Sequence, residues 1–216
     1  MVSPDNQQLM RRALEQALAE MPVVAILRGI TPHEIDQIAD ALVARGIRLI
    51  EVPLNSPNAW LSIERLVHRC GDQAIVGAGT VLDVADVERL HRLGAQLLVT
   101  PNTDIEVLHA AAAKPLISII GCMSPTEALT AARAGATALK IFPAATLGAG
   151  YLREIGAILP GHIPRLAVGG ITAGNAAEFL RHGAAGLGVG TALYRSGDPV
   201  DQVQEKVDRF IDRGLK

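Results

Sequence analysis

The run "ALKIFPA", residues 138–144, decides how this chain is read. Alanine, leucine, isoleucine and phenylalanine make it strand-like, yet a lysine stands near its centre. Lysine is almost never fully buried without a partner or a task. If the run is a buried strand, Lys140 is either misplaced or employed. Side chains alternate between the two faces of a strand. Lys140 therefore shares a face with Phe142, while Leu139 shares the other with Ile141.

Seven further apolar runs accompany it: "VVAIL" (23–27), "RLIEVPL" (48–54), "AIVGAGT" (74–80), "QLLVTP" (96–101), "PLISIIG" (115–121), "RLAVGG" (165–170) and "AGLGVG" (185–190). Between them lie segments of helical periodicity with capping signals. "TPHEIDQIADALVARG" opens with Thr31 and Pro32 and stops at Gly46. "SPTEALTAARAG" repeats that plan with Ser124, Pro125 and Gly135, and "TAGNAAEFLRHG" with Thr172 and Gly183. A hydroxyl residue at the start and glycine at the end is the asymmetry helices prefer. Eight strands alternating with helices imply parallel strands joined by crossovers. Several runs are apolar on both faces, as in a sheet covered on both sides. A (β/α)8 TIM barrel and a doubly wound open sheet compete, and eight units favour the barrel. Residues 1–216 thus read as a single α/β domain, a (β/α)8 barrel. Residues 1–21 are an additional N-terminal helix placed to cap its bottom.

Composition narrows the partners. The formal net charge is −2, and no basic block or basic–aromatic interleaving occurs, so a nucleic-acid partner is not expected. No run has signal-peptide or transmembrane character, so no membrane role is expected either. Cys70 and Cys122 stand far apart with no CxxC spacing, which reads as reduced thiols in a cytoplasmic protein. The six histidines form neither HxH nor HExxH, and no metal site is expected.

In a barrel, reactive groups gather at the C-terminal ends of the strands. Those ends offer Arg28, Glu51, Thr80, Pro101, Lys140, Phe142, Gly169, Gly170, Gly190 and Thr191. Glu51 is in phase with Leu49 and Pro53, so it and Lys140 can both point inward. Only four lysines exist, and Lys140 alone is embedded in a strand. A desolvated amine loses preference for its charged form and can attack a ketone to form an imine. The competing reading is a structural ion pair with Glu51. Glu51 in turn is either a proton shuttle or a partner to Arg28. Glycines after the seventh and eighth runs let backbone N–H groups approach a phosphate. "GLGVG" lies too near the end of the chain for a dinucleotide-binding unit. Cys122 could face the mouth, but a small buried hydrophobe is its simpler role, and Trp60 reads as core.

Seven motifs in order, "ILRGI", "EVPLNSP", "GAGTV", "VTPN", "LKIFPA", "AVGGI" and "GVGTALY", make the chain after Met21 resemble the class I 2-keto-3-deoxy-6-phospho-aldonate (KDPG/KHG) aldolases. The resemblance implies a homotrimeric (β/α)8 barrel with no cofactor. It implies Lys140 as the Schiff-base lysine and Glu51 as the proton shuttle. It implies substrate contacts from Arg28, Thr80, Lys140, Gly170, Gly190 and Thr191, with Phe142 and Pro101 lining the keto-acid pocket. Asn55 and Val168 resemble the branch acting on the galactonate epimer; the gluconate branch usually has arginine and threonine there. The expected reaction is cleavage of 2-dehydro-3-deoxy-6-phosphogalactonate to pyruvate and glyceraldehyde 3-phosphate. The alternatives are the gluconate epimer, 4-hydroxy-2-oxoglutarate, a phosphosugar isomerase or epimerase, and a non-catalytic phosphoester-binding protein. Thr191 departs from the family's usual serine but keeps the hydroxyl, and "GCMSPTEA" is an uncommon wording.

Overall fold

Every apolar run becomes a strand in the computed structural model, which describes residues 4–215. Met1, Val2, Ser3 and Lys216 of the expected domain lie outside the described residues. Helix α1 (Pro4–Glu20) leads. The order is then β1 (Val23–Ile26), α2 (Ile35–Ala44), β2 (Leu49–Pro53), α3 (Ala59–Cys70), β3 (Ile75–Gly79), α4 (Val84–Arg92), β4 (Leu97–Val99), α5 (Ile105–Ala112) and β5 (Ile117–Cys122). It continues with α6 (Pro125–Arg133), β6 (Ala138–Ile141), the short α7 (Ala144–Leu147), α8 (Ala149–Gly156), β7 (Arg165–Val168), α9 (Ala176–Arg181), β8 (Gly186–Val189) and α10 (Val200–Phe210). A π-helical turn, Ile211–Leu215, ends the described chain. The strands are all parallel, and β8 pairs with β1 to close an eight-stranded barrel. The open doubly wound alternative is thereby excluded. No described helix is long and apolar enough to cross a membrane.

Strand alternation sorts the side chains. Ala25, Ile50, Val52, Leu98, Ile120, Leu139, Ile141, Leu187 and Val189 face the helices and form the larger core. Val24, Leu49, Leu97, Val99, Ile117, Ile119, Ala138, Leu166 and Val168 fill the barrel itself. Leu14, Ala17 and Leu18 of α1 join that inner cluster, so the leading helix plugs the bottom as its position suggested. Each such leucine stabilises the fold by about 1.5–3 kcal/mol when removed from water.

The capping signals resolve unequally. Ser124 and Glu127 form the full reciprocal capping box of α6, with Pro125 in the first turn. Thr31 and Thr172 do not cap with their own side chains. Helices α2 and α9 begin at Ile35 and Ala176, and the intervening residues wind as turns whose Ile35 and Ala176 N–H groups already reach Thr31 and Thr172 carbonyls. Glu34 accepts from the Thr31 N–H, and Asn175 from the Thr172 N–H. In each case a side chain three residues on ties back the N–H of the residue that opens the turn, and the helix itself has no side-chain cap. Gly46, Gly135 and Gly183 follow their helices in the left-handed conformation, as expected.

Candidate active site

Register places the two charged strand residues on the inner face. Glu51 pairs across β1 with Ile26 and across β3 with Gly77, and Lys140 pairs with Gly121 of β5 and Leu166 of β7. Both sit one layer above the apolar filling of the barrel. Glycines hollow out that layer: a Cβ at Gly79 would overlap the Glu51 carboxylate, and one at Gly121 would overlap the backbone of Pro101. Two long polar side chains fit there because the strands alongside carry glycine at those points.

Glu51 is 2% and Lys140 7% exposed. Burial pushes the Glu51 carboxyl up to about 7, against the pull of the Lys140 and Arg28 charges. Burial also lowers the Lys140 amine, opposed by Glu51 and assisted by Arg28. Both groups therefore move toward neutrality, the condition for exchanging protons near pH 7. The two are coupled by charge. They form neither a hydrogen bond nor a close ion pair, and Glu51 Oε2 has no hydrogen-bond partner. That corrects the reading of a structural ion pair. The reading of Glu51 as Arg28's partner is corrected too. Arg28 Nη1 donates instead to Asn55 Oδ1 at 2.6 Å, with Nη2 at 3.5 Å from Thr80 Oγ1. A buried, unpartnered carboxylate oxygen is expensive and asks for a task.

The remaining residues surround this pair. Phe142 leaves β6 with its ring 5.1 Å from Lys140 Nζ and is 39% exposed, so it walls the mouth. Its ring lies against Gly169, where a Cβ would come within 3.0 Å of Phe142 Cδ2. Pro101 lies over Gly121, held by Thr100 Oγ1, which accepts from the Gly121 N–H at 3.0 Å and donates to the Asn102 carbonyl at 2.6 Å. Thr80 holds φ 56°, a left-handed conformation that a β-branched residue adopts only under constraint. Val168 ends β7 on the inner face opposite Gly188. Beyond it, Gly169 and Gly170 have φ of 97° and 72°, a consecutive left-handed pair open only to glycine. Asn175 Nδ2 ties the Gly170 carbonyl back at 3.0 Å. Among the described residues the Gly170 and Thr191 N–H groups have no hydrogen-bond acceptor. The loops after β7 and β8 thus present donors beside the barrel axis, as an anion requires.

Cys122 belongs to the helix-facing set, not the mouth. It is 2% exposed, its thiol is pushed up to about 12 by burial, and it packs in the larger core. Lys114 pairs with Glu88 at 2.9 Å and Lys206 with Asp198, so both amines are occupied. Trp60 packs against the core with Arg89 4.2 Å over its ring. Among the described residues no group of three or more His, Cys, Asp or Glu side chains could hold a metal ion. Other clefts exist, such as one of about 320 Å³ under α1 lined by Met10, Ala13, Ile75 and Ile117. That cleft is apolar and lacks paired ionisable groups, so it does not compete with the mouth. Sequence reasoning reads Thr100 only as the end of the fourth strand and does not single out Tyr151, whose hydroxyl donates to the Met123 carbonyl at 2.5 Å. Only the fold brings their partners close.

Comparison with known proteins assigns the chain to a family. Residues 14–208 match the family model "KDPG and KHG aldolase". The chain is 43% identical over 192 residues to 2-dehydro-3-deoxy-6-phosphogalactonate aldolase of Escherichia coli K12, covering 89% of this chain and 94% of that one. It is 42% identical over 187 residues to the probable enzyme of the same name from Rhizobium meliloti, covering 87% and 88%. A solved structure described as native KDPGal superposes with a TM-score of 0.88 at 43% identity, over 90% of this chain and 94% of that one. The chain belongs to the KDPG and KHG aldolase family.

Proposed function

We propose that the protein is a class I aldolase that reversibly cleaves 2-dehydro-3-deoxy-6-phosphogalactonate to pyruvate and D-glyceraldehyde 3-phosphate. The observation that carries this reading is the pair on the inner barrel face: a desolvated Lys140 amine beside a buried Glu51 carboxylate with an unpartnered oxygen. The names of the relatives at 43% and 42% identity support the substrate.

Lys140, as the neutral amine, attacks the C2 ketone, and loss of water leaves a protonated imine. Glu51, directly or through a water, takes the proton of the C4 hydroxyl. The C3–C4 bond breaks, its electron pair passes into an enamine on the imine carbon, and the aldehyde departs. Protonation at C3 and hydrolysis of the imine release pyruvate and restore the amine. Thr80 and neighbouring amides hold the substrate carboxylate, with Arg28 beside them, while the backbone at Gly170, Gly190 and Thr191 holds the phosphate. Phe142 and Pro101 line the keto-acid end, and Val168 and Gly169 the space between. Two anchored ends leave the reacting carbons beside the amine, which converts binding into proximity.

A homotrimer is the assembly this reading supports, with a solution mass about three times the 22.7 kDa chain. The two cysteines, both buried free thiols, fit a reducing compartment such as the cytoplasm. The test is a coupled assay in which lactate dehydrogenase reports pyruvate from each C4 epimer. Faster release from the galactonate epimer is expected. Equal or faster release from the gluconate epimer would reassign the substrate, and isomerisation without pyruvate would remove the aldolase reading.

A further inference from the structure

Glu34 lies outside the residues just described, yet it touches both ends of the mouth. Its Oε2 accepts from the Thr31 N–H at 3.0 Å and the Thr31 hydroxyl at 2.5 Å. Its Oε1 accepts from the Tyr194 hydroxyl at 3.3 Å and the Gly197 N–H at 3.1 Å. Thr31 follows Arg28 in the loop after β1. Tyr194 and Gly197 follow Gly190 and Thr191 in the loop after β8. One carboxylate therefore joins the first and last loops of the barrel, at the seam where β8 meets β1.

Neighbouring contacts carry that joint to the site. The Ser196 hydroxyl donates to the Gly29 carbonyl at 3.0 Å, and the Gly29 N–H donates to the Ser56 hydroxyl at 3.0 Å. Gly29 is the residue next to Arg28. On the other side, the Leu193 and Tyr194 N–H groups donate to the Gly190 carbonyl at 2.8 and 2.9 Å. A shift of the Glu34 carboxylate is thus felt one residue from Arg28 and, through Tyr194, at Gly190.

Holding Thr31 takes only one carboxylate oxygen, Oε2. The other is spent on a segment 160 residues away. Burial raises the Glu34 carboxyl, but hydrogen bonds from Thr31, Gly197 and Tyr194 outweigh it and hold the group below its ordinary value. It stays ionised where Glu51 titrates. Tyr194 is 1% exposed, and burial together with Glu34 pushes its phenol up, so it remains a donor.

We propose that Glu34 is a positioning residue: by bracing the loop after β1 against the loop after β8, it sets the span between Arg28 and the Gly190–Thr191 backbone. It touches no substrate and acts through those groups. The inference rests on the function proposed above, in which these two places grip opposite polar ends of one phosphorylated keto acid. Misplacing a bound group by about 1 Å can cost roughly 10²-fold in rate.

The experiment compares kcat/KM for the phosphorylated keto acid and for the same acid lacking its phosphate. It uses the wild-type chain, Glu34→Ala, Glu34→Gln and Tyr194→Phe. The span matters only to a substrate that reaches both ends. The preference for the phosphorylated substrate is expected to fall about tenfold in Glu34→Ala. It should fall less in Glu34→Gln, which keeps one acceptor oxygen, and least in Tyr194→Phe, which keeps the ring and loses one donor. A merely structural role lowers both substrates together and leaves the ratio at its wild-type value; that result overturns the proposal. Tyr194→Phe keeps the test decisive should Glu34→Ala not fold. A wild-type chain that cleaves neither acid removes the aldolase reading itself. An active wild type with unchanged ratios in all variants removes only the brace.

Discussion

The two ends of the barrel interior are built from the same strands in the same inward-facing register, and their contents are opposite. At the bottom, Val24, Leu49, Leu97, Ile117 and Leu166 meet Leu14 and Leu18 of α1 in a dry apolar layer. At the mouth, Glu51 and Lys140 replace the aliphatics, and Gly79 and Gly121 remove the side chains beside them. The bottom gains free energy by excluding water from hydrocarbon. The mouth loses free energy by desolvating two ionisable groups, and that loss moves both titrations toward neutral pH. In the function proposed above, that desolvation is what lets the amine act as nucleophile and the carboxylate as base.

Four substitutions act on this contrast. Lys140→Met puts an aliphatic of similar length at the mouth, making it like the bottom. Cleavage should fall by more than about 10³-fold in the coupled pyruvate assay, because no other group there forms an imine. Glu51→Gln keeps the shape and removes the base, with an expected loss of roughly 10²–10⁴-fold in kcat. The pH profile carries the sign. Below about 7 the Glu51 carboxyl is protonated and cannot accept a proton, so wild-type kcat should rise as pH rises through that value. In Glu51→Gln that rising limb should vanish, and its persistence would assign it to another group.

Leu14→Ala tests the other end. A fully buried leucine lost from the plug should cost about 2–5 kcal/mol of stability. Thermal melting should report it, while kcat measured well below the transition stays at the wild-type value. A parallel loss of kcat would show that the two ends are not separable. Val168→Thr is the smallest change, one methyl exchanged for a hydroxyl where the inner wall meets the mouth. It should shift the C4-epimer preference toward the gluconate form by about 10-fold or less, in keeping with the modest discrimination a single contact supplies.

Much of this was legible in residue order. All eight strands, the inward phase of Lys140 and Glu51, and the plugging helix follow from alternation, cap signals and one lysine out of place. What alternation cannot show is lateral pairing. Whether Arg28 turns to Glu51 or to Asn55 depends on the height at which β1 delivers it relative to β2, and the structure sends it to Asn55. Cys122 looked able to face the mouth because β5 ends there, yet it is in phase with Ile120 and turns to the helices. Thr31 and Pro32 are legible as a helix start, whereas Glu34, which holds the Thr31 N–H, is not singled out. Its second use, against Tyr194 and Gly197, depends on barrel closure, which a local motif does not encode.

The proposed chemistry stands on one bond, from the desolvated Lys140 amine to the carbonyl carbon of a keto acid. Incubating the protein with pyruvate and borohydride, followed by peptide mass spectrometry, tests it most directly. One reduced pyruvate adduct is expected, on the peptide containing Lys140 and absent from Lys140→Met. An unmodified Lys140, or an adduct on Lys114 or Lys206 in its place, would contradict it.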